Sequence, residues 1–197
     1  MPWHIEHKQE SRERILDAAA RCFTQRGFDG VRIDDIMAAA GLTRGAFYAH
    51  FSSKSDLYAC AMRHAAQLGA QHLAALPDTE RRIAAYLSLA PHTSEISCPL
   101  ACLVSDVAHR DGQVRDTYTD LLEGFICRFL CEENRSPASR QRALMQAVAM
   151  IGSLAIARSV NDPVFAEELM EAGLSLASCV PGTGEQQAQA RTRSVSS

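Results

Sequence analysis

Seven cysteines and seven histidines carry the side chains whose chemistry depends most on spacing. Cys98 and Cys102 stand one helical turn apart, as do Cys127 and Cys131, while Cys22, Cys60 and Cys179 are scattered. Such pairs could be zinc half-sites, but neither has the CxxC or HxxxH partner pattern that completes a tetrahedral site, so no metal or other cofactor is expected. An odd thiol count follows a start, Met1 to Lys8, with no apolar signal region. That combination reads as a cytoplasmic protein with unbridged, mostly buried thiols. Cys98 stands out because Pro99 follows it at a predicted first helical position, and a helix N-terminus favours thiolate. It is the candidate thiol sensor, against the plainer reading of a small buried apolar residue. His64, His72, His92 and His109 have no Asp or Ser at a telling spacing, so a hydrolytic triad is unsupported. A second constellation is cationic: Gly41 to Ser55 holds Arg44, His50 and Lys54 and no carboxylate. That suits contacts to phosphates and base edges.

The elements that must position these residues are helical, with an apolar period near 3.6 almost throughout. The first helix spans about 9–25, with Ile15, Ala18, Ala19, Cys22 and Phe23 inward and Gly27 as its stop. A short helix over 33–40 ends at Gly41, and Thr43 can cap a third. The run Ser53-Lys54-Ser55-Asp56 forms a capping box for a long helix to about Leu76. Further helices are expected over 80–90, from Pro99, over 113–133, 137–160 and 163–178, giving about nine. The chain is therefore all-α. Ile36, Met37, Ala40, Leu42, Phe47 and Phe51 supply a small core that fixes a helix-turn-helix, in which the second helix of the motif enters the DNA major groove. Gly45 and Ala49 allow the backbone close to DNA. The longest apolar stretch, 143–157, is shorter than the ~18 residues of a membrane span, so no membrane is expected.

The run Arg14 to Ala19, Cys22-Phe23, Gly27-Phe28, Ile33 to Ile36, Ala40 to Phe51 and Lys54 to Leu57 resembles the TetR (AcrR-type) repressor signature over about residues 10–60. That resemblance implies a homodimeric repressor of nine or ten helices. It implies a helix-turn-helix domain over 1–57 and a ligand-binding and dimerisation domain over 58–180, while the Gly-, Gln-, Ser- and Thr-rich composition from Pro181 predicts a disordered tail over 181–197. Its partners would be double-stranded operator DNA and a small-molecule inducer. Thr43 and Arg44 sit where members contact bases or adjacent phosphates, Gly45 at the close approach, Tyr48 and His50 at phosphate, and Lys54 at the start of the fourth helix. Val31-Arg32 departs from the usual hydroxyl cap before the second helix; Arg32 either reaches a phosphate or is a solvated arginine.

Past residue 60, Leu68, His72, Tyr86, Cys102, Asp106, Tyr118, Leu122 and Phe125 form a candidate ligand pocket, mostly apolar with a few polar groups. The same set would serve as ordinary helical core. Ala147, Met150, Ile151 and Leu154 on one helix and Phe165, Leu169, Ala172, Gly173 and Leu176 on the next make two stripes for a dimer interface. The net charge of −3 excludes a protein held to nucleic acid by bulk charge. Residues 1–60 carry 8 basic and 8 acidic residues, so the acidic excess lies wholly in the remainder. The reading that follows is a ligand-responsive repressor, released by a small molecule or a thiol-reactive compound, and not an enzyme. The alternative is a helical thiol-based or metal-binding protein without operator binding.

Overall fold

A computed structural model describes residues 3–88, 98–128 and 136–179. His92, Cys131 and the expected tail over 181–197 lie outside the described residues. Ten α-helices and no strand occur among them. They are α1 (Trp3–Arg26), α2 (Ile33–Ala39), α3 (Arg44–Tyr48), α4 (Lys54–Ala74), α5 (Thr79–Leu87), α6 (Pro99–Cys102), α7 (Val104–Val107), α8 (Gly112–Cys127), α9 (Pro137–Ala157) and α10 (Pro163–Ser178). The tenth arises because the sixth expected helix breaks at Leu103, whose φ of −115° and ψ of 5° leave the helical well. No helix among the described residues is long and apolar enough to cross a membrane.

Two compact units are present: residues up to 72 together with 98–122, and 73–88 together with 123–128 and 136–179. Residues 98–122 group with the N-terminal helices in the first unit. In the first unit Ile15, Ala18, Ala19, Cys22 and Phe23 line the buried face of α1, as their spacing predicts. They pack in one core with Ile36, Met37, Ala40, Phe47, Phe51, Leu57 and Tyr58. Phe23 meets Tyr58 edge-on at 4.7 Å between centroids, a favoured aromatic geometry. Gly27 closes α1 with φ +69°, its N–H donating to the Phe23 carbonyl at 2.8 Å.

In the second unit α9 and α10 pack against one another and against α5. They run antiparallel, because Gln146 Nε2 donates to the Ala177 carbonyl at 3.3 Å while Gly173 faces Ser153. A Cβ on Gly173 would lie 2.5 Å from Ser153 Cβ, so only glycine permits this approach. Caps begin both helices: Ser136 Oγ accepts from Ser139 N, and Asp162 accepts from Val164 N and Phe165 N.

The two stripes expected at a dimer interface differ in exposure within the chain. Ala147, Met150, Ile151 and Leu154 on α9, and Gly173 on α10, are buried within the chain. Phe165, Ala172 and Leu176 are exposed and Leu169 is half-buried. The apolar residues left outward on α9 are Met145, Val148 and Ile156.

Candidate nucleic-acid interface

Thr43, Arg44, Gly45, Tyr48 and Ala49 are all exposed on and beside α3, whereas Phe47 on its inner side is buried. Helical geometry produces this split, since Phe47 and Phe51 lie one turn apart with rings 6.0 Å between centroids. Tyr48 leaves 64% of its surface in solvent, far more than a phenol with a packing role alone would expose. Thr43 occupies the N-cap position, but its hydroxyl makes no capping hydrogen bond. The expected cap is thus positional only.

The turn ahead of α3 is held from α1. Gly41 has φ +65°, and the Arg14 guanidinium lies against it. Arg14 Nη2 donates to the Ala40 carbonyl at 2.7 Å and to the Gly41 carbonyl at 3.4 Å. A cation on carbonyls at a helix C-terminus is favourable. The start of α2 lacks a hydroxyl cap, as Arg32 at that position implies, but Asp35 Oδ2 accepts from Arg32 N at 3.0 Å. Half of a capping box therefore survives without the serine or threonine. Arg32 itself is exposed beside it. At α4, Ser53 Oγ accepts from Asp56 N at 3.0 Å, and Asp56 Oδ2 reaches back to Ser52 N at 2.9 Å. The expected box is present, with its return bond one residue earlier.

The charges differ from a simple basic patch. The run 41–55 has no carboxylate of its own, yet the fold brings one: Arg44 Nη1 donates to Asp34 Oδ2 on α2 at 3.0 Å. Tyr48 first, and Asp34 with it, raise the Arg44 pKa. Burial, helped by the cations Lys8 and Arg12, lowers the His50 pKa, which favours its neutral form. Lys54 Nζ lies 4.3 Å from the centre of the Phe28 ring, and burial lowers its pKa.

A polar knot behind this surface was not legible in the sequence. Asp106 Oδ2 accepts from Phe28 N at 2.9 Å and from the Tyr58 hydroxyl at 2.5 Å. Arg110 pairs with Asp106 at 3.3 Å and with Asp29 at 2.8 Å, and its guanidinium lies over Phe28. Burial, then the bond to Asp106, pushes the Tyr58 pKa far up. Asp106 thus accepts from two groups among the N-terminal residues and pairs with Arg110. The other pocket candidates differ in exposure. Leu68 and His72 are exposed. Cys102 and Leu122 are half-buried, and the Tyr118 hydroxyl is committed to the Leu100 carbonyl at 2.7 Å. Tyr86 and Phe125 are buried in the second unit with rings 5.6 Å apart. His64 acquires the acidic partner that sequence spacing hid, Asp17 at 2.6 Å across from α1.

The thiols are less buried than expected: of the six described, Cys22 alone is buried, and Cys127 and Cys179 are exposed. Cys98 is half-buried at the N-cap of α6, a helix of only four residues whose dipole is correspondingly weak. No group of three or more His, Cys, Asp or Glu able to hold a metal occurs among the described residues.

Residues 15–60 match the family model for bacterial regulatory proteins, tetR family. The HTH-type transcriptional regulator AcrR of Shigella flexneri is 49% identical over 53 residues, 27% of this chain and 25% of that protein. The HTH-type transcriptional repressor AcnR of Corynebacterium glutamicum is 40% identical over 48 residues, 24% of this chain and 26% of that protein. The matched stretch thus spans about a quarter of these relatives. A TetR transcriptional regulator from Chloroflexus aurantiacus shares the fold with a TM-score of 0.69 at 21% identity, over 88% of this chain and 97% of that one.

Proposed function

We propose, given that residues 15–60 match the family model for bacterial regulatory proteins, tetR family, that this chain is a transcriptional repressor. It binds a near-palindromic double-stranded operator as a homodimer in the cytoplasm and leaves it when a small molecule or a thiol-reactive compound binds. The observation that supports this most is the outward display of Thr43, Arg44, Gly45 and Tyr48 on a helix whose inner Phe47 is buried. Arg44 reads guanine, Thr43, Tyr48 and Arg32 touch phosphate, and His50 donates a hydrogen bond. Lys54 reaches phosphate only by leaving Phe28.

A homodimer is assigned to the outward residues of α9 and α10, with Phe165, Leu169, Ala172 and Leu176 joined by Val148 and Ile156. It sets the two reading helices about 34–36 Å apart, one turn of DNA. The inducer acts through the helices beyond residue 57, and only by binding the DNA-competent and released states unequally. Cys98 is the thiol offered to an electrophile.

Selection of bound fragments from random DNA, followed by anisotropy titration, tests the reading. The expected result is a two-fold symmetric site. Arg44→Ala relaxes its base preference, whereas Tyr48→Ala and Lys54→Ala weaken binding to every sequence and flatten the salt dependence. Unchanged binding in all three variants overturns it, and stoichiometric metal or thiol-dependent turnover without DNA binding favours the alternative. An alkylation mass spectrum in which Cys98 stays unmodified ends the thiol route.

A further inference from the structure

The pairing of Asp34 with Arg44 points to a role that neither residue has alone. Asp34 sits in the first turn of α2 and Arg44 at the start of α3, and both are exposed. The bond between Arg44 Nη1 and Asp34 Oδ2 is 3.0 Å long. An exposed pair of this kind adds little to folding. A carboxylate beside a surface that meets phosphates also weakens attraction to DNA of any sequence. Both costs fall on the same few atoms as the candidate base-reading side chain.

Resting on the DNA-binding reading above, we propose that Asp34 is a specificity-determining residue: it fixes the direction of the Arg44 guanidinium and keeps that cation from settling on a phosphate. A long arginine loses rotamer freedom when it docks, so one held in place beforehand reads a base at smaller entropic cost. Asp34 Oδ2 engages Nη1 alone and Tyr48 also bonds the guanidinium, leaving the remaining N–H groups for the two acceptors that guanine presents in the major groove. The negative charge disfavours the competing phosphate contact, so discrimination is built partly from repulsion.

The test uses the full chain. Fragment selection from random DNA is run on wild type, D34N, D34E and R44A, followed by titration of the selected site and of a random duplex. In D34N, random-duplex affinity is expected to rise and the specificity ratio to fall, each by about 3–10-fold. The lost preference is expected at the same base position as in R44A, and D34E retains it. An R44A/D34N double variant shows no further loss at that position. A wild type that selects a site while D34N keeps full preference there overturns the role of Asp34 alone. So does a D34N loss that persists undiminished in the R44A background. A wild type that selects no site overturns the DNA-binding reading, and the role of Asp34 with it.

Discussion

Replacing Gly45 with alanine fills open space, since a Cβ there would meet only Thr43 Oγ1 at 3.9 Å. Nothing inside the protein asks for glycine at that position. Alanine within a helix is favoured over glycine by about 1 kcal/mol, so Gly45→Ala is expected to raise the thermal midpoint slightly. If DNA approaches the backbone at Gly45, the same variant loses operator affinity. A calorimetric scan beside a binding titration checks both signs, and an affinity that survives removes Gly45 from the interface. Residues of this kind were legible in the sequence because α3 is short and its inward phenylalanines fix which side faces out. Asp34, Arg14 and Asp106 were not: each acts on a partner 10, 26 or 78 residues away, and no local spacing encodes such pairs.

The helices themselves were largely readable, because capping residues and prolines mark their starts chemically: Asp78, Ser136 and Asp162 each accept from backbone N–H groups as their types imply. The rotational phase of α9 was not readable. A helix rich in alanine has two faces apolar enough to bury, and the choice depends on what packs against it. Ala143, Ala147 and Gly173 are small and buried, and α9 packs against α10 in the same chain. Gly173→Ala therefore forces these helices apart and is expected to cost about 1–3 kcal/mol by denaturant unfolding. Ser153→Gly in the same chain relieves the clash, so the pair is non-additive.

For the assembled protein, the outward apolar residues of α9 and α10 carry the expectation of a dimer. Val148→Glu with Phe165→Glu should give a monomer by light scattering that has lost high-affinity operator binding, with helical content unchanged. A dimer that persists moves the interface elsewhere. Acid acts on the fold through Asp29, whose pKa the Arg110 hydrogen bond holds below the ordinary 3.8. Folded Asp29 binds its proton less readily than unfolded Asp29, so this contribution is present above the unfolded value and is lost as pH falls through the folded one. Unfolding midpoints should thus fall at acid pH, and Asp29→Asn should make that decline shallower. The Arg14 clasp on the carbonyls of Ala40 and Gly41 has a consequence for engineering. It sets where α3 lies using backbone atoms before the helix and a side chain from α1, and none of the outward side chains takes part. The positions 43, 45, 48 and 49 are accordingly a cassette: a library of variants there can be searched for new operators while the scaffold beneath stays as it is.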